Sequence, residues 1–279
     1  MTDEQNPLSE YFRTPALYLS LPSEGEYYPD GSLEITTENG DVAVYPMTAR
    51  DEIALNTPDA LYSGSATAQV IESCVPSIKN GFDVPTTDVD PILIAIRIAT
   101  YGEEMSFTNV CPSCSNANDY EIDLKQALEH YKKIDYSQPH KIDQLTFYFK
   151  PQLFRTLNKV SLQAFEEQRA LSVIENTELP DDMKVEKFSE HVKKISNTSI
   201  EILCGFIDRI VLPDGNSVDN LSFVIDFINN CDNSTYKRLE EIIEGFREKS
   251  QSPEISLTCK HCGHNYMSAV TFESSNFFG

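Results

Sequence analysis

The chain has 279 residues, 40% of them hydrophobic and 10% aromatic, which is enough for one large packed domain or two modest ones. Its 22 Lys and Arg face 44 Asp and Glu, a formal net charge of −22. Phosphate recognition rests on Lys and Arg, so direct nucleic-acid contact and binding to an anionic membrane are not expected, and no run of about 18 apolar residues marks a membrane span.

The acidity reads either as a solubility device or as attraction to a basic protein partner. The start, MTDEQNPLSE, has neither a basic stretch nor an apolar one. It predicts a protein without a secretory leader, working in the cytosol.

Residues 1–14 read as a flexible tail, and residues 15–104 as an N-terminal β-hairpin and helical region. Pro29-Asp30-Gly31 signals a turn, and Glu38-Asn39-Gly40 signals a hairpin joining Leu33–Thr37 to Val42–Tyr45. Thr48 suits the cap of a short helix with Asp51 and Glu52 in its first turn, and SATAQVIESCV allows another, with Cys74 in the core. DPILIAIRIATYG nearly alternates, but Asp90 fits an N-cap, Pro91 the first helical position and Gly102 the residue past the end, so it predicts a buried helix.

After "NVCPSC" the segment over residues 125–253 reads as a mainly helical insertion. DLKQALEHYKK predicts a short helix, QLTFYFKP a strand and RTLNKVSLQAFEEQRALSVIE a helix. From Asp181 to about Phe206 an amphipathic helix is expected, with Val185, Phe188, Val192 and Ile195 recurring every 3 or 4 residues. That stripe packs on its own core or docks a partner helix, and its residues are the candidate partner-binding surface. IVLPDGNSV is a strand–turn–strand or a loop ending a helix. LSFVIDFINNC and STYKRLEEIIEGFREKS predict two more helices, with Ser234 as a candidate cap and Cys204 and Cys231 as inert packing residues. The closing TFESSNFFG is an exposed interaction tag or folds back as core filler for the strands that precede it.

Cys111 and Cys114 form one C-x-x-C, and Cys259 and Cys262 form another. Each pair is entered from an alternating stretch, SFTNV or EISLT, and left through YEIDL or YMSAVTF. Two hairpins with thiols at their turns predict a zinc ribbon split across residues 105–124 and 254–279, with Zn2+ held by four cysteines. A redox pair would need a helix opening at the first Cys, and strands follow both pairs here. Four thiolates leave no open position for catalysis. His261 and His264 are weaker ligand candidates, and His261, lying between two ligands, is expected to point away. The fold class is thus α+β, comprising the N-terminal hairpin region, the helical middle and the split ribbon.

No phosphate loop, G-x-S-x-G, H-E-x-x-H or dinucleotide fingerprint occurs, and His130, His140, His191, His261 and His264 show no catalytic spacing. The pattern favours binding or assembly over an enzyme. In order, "LPSEGEYYPDG", "YPMTARDEIAL" with "LYSGSA", "RIATYGEEMSF" entering "CPSC", and "CKHCGH…FFG" resemble the baseplate hub assembly family of T-even-type contractile-tailed phages. The resemblance implies a non-enzymatic, chaperone-like factor in virion morphogenesis, with tail hub and tape-measure proteins as partners. Only the four cysteines carry over, in a structural role.

The acidic surface and long helical face suit holding an aggregation-prone helical client. That places the protein in the host cytoplasm during assembly. Retention in the virion tail baseplate and homo-oligomer formation stay open. The competing readings are a permanent baseplate subunit and an acidic zinc-ribbon regulator of host transcription.

Overall fold

The computed structural model describes residues 7–57, 64–175, 194 and 198–269. The fold is mixed helix and strand, as expected, and divides into two compact units. Unit one takes Met1–Gly81, Asp88–Lys132 and Ser252–Gly279, and unit two takes Phe82–Thr87 and Lys133–Gln251. No helix among the described residues is long and apolar enough to cross a membrane.

Unit one begins with an antiparallel pair, β1 (Leu17–Leu19) and β2 (Val42–Val44), then α1 (Ala49–Leu55), α2 (Ser65–Cys74) and most of α3 (Thr86–Tyr101). The expected hairpin between Leu33–Thr37 and Val42–Tyr45 does not form. Leu33 instead bridges Ile78, flanked by hydrogen bonds from Glu34 N to Ser77 O (2.8 Å) and Lys79 N to Ser32 O (2.8 Å). The local E-N-G signal still makes a turn, with Gly40 at φ +83°. Burial accompanies the observed pairing: with Val42 opposite Leu19 and Val44 opposite Leu17, both valines are fully enclosed.

Thr48 caps α1 in a full capping box with Asp51. The carboxylate of Asp51 also faces Arg13, whose guanidinium donates to Pro46 O (2.6 Å) and Ser73 O (2.6 Å), so Arg13 is tied to the body of unit one. Cys74 is buried as expected, and burial pushes its thiol up to about 12.

Helix α3 starts at Thr86, earlier than the Asp90 cap that its sequence suggests. Pro91 therefore lies inside it, where the missing N–H removes one bond to the first turn. Asp90 is used elsewhere: Tyr131 Oη (3.4 Å) and Ser252 Oγ (3.3 Å) both donate to its carboxylate. Burial raises Asp90 above the ordinary carboxylate range, and the two donors pull it back. Gly102, at φ +97°, ends the helix as expected, with its N–H bonded to Ile98 O.

The rest of unit one is two hairpins, β3 (Glu104–Val110) with β4 (Ala117–Asp123), and β9 (Glu254–Thr258) with β10 (Asn265–Ala269). Helix α4 (Leu124–His130) follows β4, capped by the Asp123 carboxylate.

Unit two is not helical alone. It holds an antiparallel sheet in the order β5 (His140–Ile142), β6 (Leu145–Phe149), β7 (Ile207–Val211), β8 (Ser217–Val218). The IVLPDGNSV segment resolves as strand–turn–strand, closed by Leu212 N to Asn216 O at 2.8 Å. Its helices are α5 (Phe154–Glu175), a stretch over 198–205, α6 (Leu221–Asn230) and α7 (Asn233–Ser250). The cap of α7 is Asp232, not Ser234: its carboxylate accepts from Ser234 N (2.8 Å) and Thr235 N (3.1 Å). An aspartate placed before the first turn satisfies two orphan donors that a serine inside it cannot. Cys204 is buried, and burial pushes its thiol up to about 11; Cys231 is half-buried and raised in the same way.

An aromatic cluster joins sheet to helix. Phe246 of α7 stacks on Tyr136 (4.6 Å) and meets Phe149 (5.6 Å), and His140 packs edge-on against Phe149 (5.3 Å) and Phe246 (5.8 Å). Burial, and then Lys249, lower His140 below its ordinary 6.5, because a charged imidazole loses water there. The unfolded chain then binds the extra proton first, so stability falls as pH drops below about 6.5. His140→Gln removes that term. Its melting temperature is expected to fall less than the wild type's between pH 7 and pH 5, and parallel curves for the two would exclude the effect.

Candidate metal centre

Each hairpin turns at a C-x-x-C, and the two turns have the same backbone. Ser115 N donates to Cys111 O (2.9 Å) and Cys111 N to Asn116 O (3.0 Å). In the second turn Gly263 N donates to Cys259 O (2.9 Å) and Cys259 N to His264 O (2.9 Å). The residue after the second cysteine is left-handed in both, Ser115 at φ +58° and Gly263 at φ +71°. The pattern follows from the need to bring two thiols to one side of a tight turn.

The four thiols converge. Cys111 Sγ lies 3.7 Å from Cys262 Sγ, and Cys114 Sγ lies 3.6 Å from Cys259 Sγ, across separations of 151 and 145 residues. All four sulfurs lie within 4.8 Å of one another. These contacts are too long for a disulfide of about 2.05 Å, and all seven cysteines are free. A tetrahedral ion at about 2.3 Å from sulfur would set the sulfurs about 3.8 Å apart. The observed edges fit that donor set, so the cluster can hold a metal ion.

Ionisation within the cluster is uneven. Cys259 is drawn down to about 6, first by the backbone N–H of Cys262 and also by that of His261, which lies 3.4 Å from the sulfur. The Asn116 side chain lowers Cys114. At Cys262 the His264 backbone N–H lowers the thiol, but hydrogen bonding with Cys114, Cys259 and Cys111 holds it up at about 12. Four adjacent thiols cannot all lose protons without a cation to offset the repulsion.

Inward-facing residues join the hairpins. Asn109 Nδ2 donates to Ser268 Oγ (2.8 Å), Tyr266 Oη to Asn109 Oδ1 (3.1 Å) and Tyr120 Oη to Thr258 O (3.1 Å). Asn118 reaches from β4 to the second turn, accepting from Lys260 N at 2.9 Å. Met105, Ile122 and Leu257 are buried beneath. None of these polar residues was singled out from sequence, although Asn118 and Tyr120 share the inward phase of Ile122 in a strand that alternates every second residue.

His261 and His264 are not among the grouped side chains. The ring of His264 lies parallel to Tyr266 at 6.1 Å. The candidate partner stripe of Val185, Phe188, Val192 and Ile195 lies outside the described residues, as does the TFESSNFFG end.

A family model described as T4 bacteriophage base plate protein matches residues 29–279. The chain belongs to that family. The match takes in both hairpins and all four clustered cysteines of this base plate protein. No curated protein and no solved structure matches it.

The left-handed turn position yields a directional test. Gly263→Ala in this base plate protein should cost about 1–2 kcal/mol, because Cβ crowds the following carbonyl there. Ser115→Gly, which removes the same crowding, should be neutral or stabilising. Urea denaturation of the full chain checks both, and equal destabilisation by the two changes would contradict the shared turn geometry.

Proposed function

We propose that this base plate protein is a non-enzymatic assembly factor of the baseplate hub, which holds hub or tape-measure proteins while the tail is built. Zinc, bound by Cys111, Cys114, Cys259 and Cys262, serves as its structural clasp. The observation that carries the reading is a four-thiol cluster assembled from two distant hairpins in a chain of the base plate family. Four thiolates close the coordination sphere, so the ion supplies a cross-link and no open position for a substrate. Thiol ligands at these spacings favour zinc over harder cations.

The net charge of −22 keeps the protein soluble and draws it to a basic client. It also disfavours contact with DNA. The stripe of Val185, Phe188, Val192 and Ile195 is the proposed client contact, and the host cytoplasm during assembly is the proposed place of action. A permanent place in the baseplate is the second reading, favoured by the family description itself.

Affinity capture of the tagged protein from infected cells during tail assembly, read by mass spectrometry, tests the reading. Tape-measure or hub proteins are expected in the eluate, and Phe188→Glu with Val192→Glu should lose them while leaving the melting curve unchanged. Recovery of host polymerase subunits instead would overturn the assembly role in favour of a regulator. Presence of the protein in purified particles at fixed copy number would favour the structural subunit.

A further inference from the structure

Asn118 is 7% exposed, an uncommon place for a polar side chain in so small a hairpin. Its surroundings fix its orientation. The oxygen faces the backbone N–H of Lys260 at 2.9 Å, and the amide nitrogen faces the carbonyl of Asn116 at 3.0 Å. A flipped amide would set donor against donor and acceptor against acceptor. With that orientation fixed, the same Nδ2 lies 3.5 Å from Cys259 Sγ. One side chain thus binds the turn of its own hairpin, the backbone of the opposite turn and a candidate metal ligand.

The opposite hairpin has no equivalent. Pro112 stands in the first turn where Lys260 stands in the second, each directly after the first cysteine, and proline has no N–H to offer. Tyr266, which matches Asn118 in position along its hairpin, instead donates to Asn109 Oδ1 at 3.1 Å. The asymmetry assigns the cross-turn contact to Asn118.

We infer that Asn118 is a positioning residue of the metal centre: it donates an N–H to the Cys259 thiolate and locks the second turn onto the first. The inference rests on the proposed metal reading. It goes beyond that reading in naming a residue outside the ligand set that governs the ion's affinity. Polar partners of metal ligands orient them and stabilise the charged form, and their loss typically costs about 10–100-fold in affinity.

Two measurements on the full chain test it. In protein loaded with 113Cd, a proton–cadmium correlation should show a cross-peak from the Asn118 side-chain amide, since coupling passes through an N–H···S bond to a bound thiolate. Absence of that peak, with backbone amide peaks present, would overturn the contact. In Co(II) titrations, Asn118→Asp, which keeps the acceptor for Lys260 N but loses both N–H groups, should bind about 10–100-fold more weakly than wild type. Asn118→Leu, which adds no charge, should do the same. Affinities within twofold of wild type in both variants would overturn the positioning role. If the wild type itself gives no thiolate-to-cobalt absorption, the metal reading fails and takes the inference with it. The cadmium measurement needs no variant, so it decides the contact even where a substituted chain does not fold.

Discussion

Closure of the chain on itself is the constraint from which the rest of unit one follows. Cys114 and Cys259 are 145 residues apart, yet their sulfurs lie 3.6 Å from each other. Closing a flexible loop of that length costs about 4–5 kcal/mol. A structural zinc site contributes on the order of 10–16 kcal/mol at neutral pH, so one such ion held by the four thiols would outweigh the loop entropy with free energy left for ordering the turns. Hydrogen bonds worth about 0.5–1.5 kcal/mol net each would need several partners to do the same. Asn109, Tyr120, Tyr266 and Asn118 supply some of them, but they become aligned only when the two hairpins already face one another.

A second tie sits at the base of the ribbon. Tyr131, just past α4, and Ser252, just before β9, both donate to the half-buried Asp90 carboxylate of α3. The segment leaving the first hairpin and the segment returning to the second are thereby held on one helix. This tie explains why α3 does not use Asp90 as its cap, and why a carboxylate sits at a place where burial disfavours its charge. The thiol cluster at the turns and the Asp90 pair at the base hold the two ends of the split ribbon. The insertion of unit two between them interrupts neither hairpin.

The sequence was most informative where chemistry depends on spacing. Two C-x-x-C pairs flanked by alternating residues specify hairpins and thiol turns almost regardless of context, and both occur in the expected places. Capping was legible where one residue decides it, as at Thr48 and Gly102. It failed where two acceptors compete: Asp90 satisfies tertiary donors while the helix starts at Thr86, and Asp232 outbids Ser234. The partner of β2 was illegible because E-N-G reports only a turn, whereas the pairing of Val42 and Val44 with Leu17–Leu19 is set by what can be buried together. Strand β5 spans only three residues, too few for a period to register. Asn118 was missed because a polar residue in a strand says nothing of its role until its partners are known.

Hydrogen exchange of the purified protein, before and after chelation with its metal content determined, tests the clasp most directly. The account predicts one zinc ion per chain and, on its removal, lost protection in Glu104–Asp123 and Glu254–Ala269 together, although the two segments are far apart in sequence. Protection that survives chelation in both hairpins, or protein that carries no metal and melts at the same temperature, would contradict it.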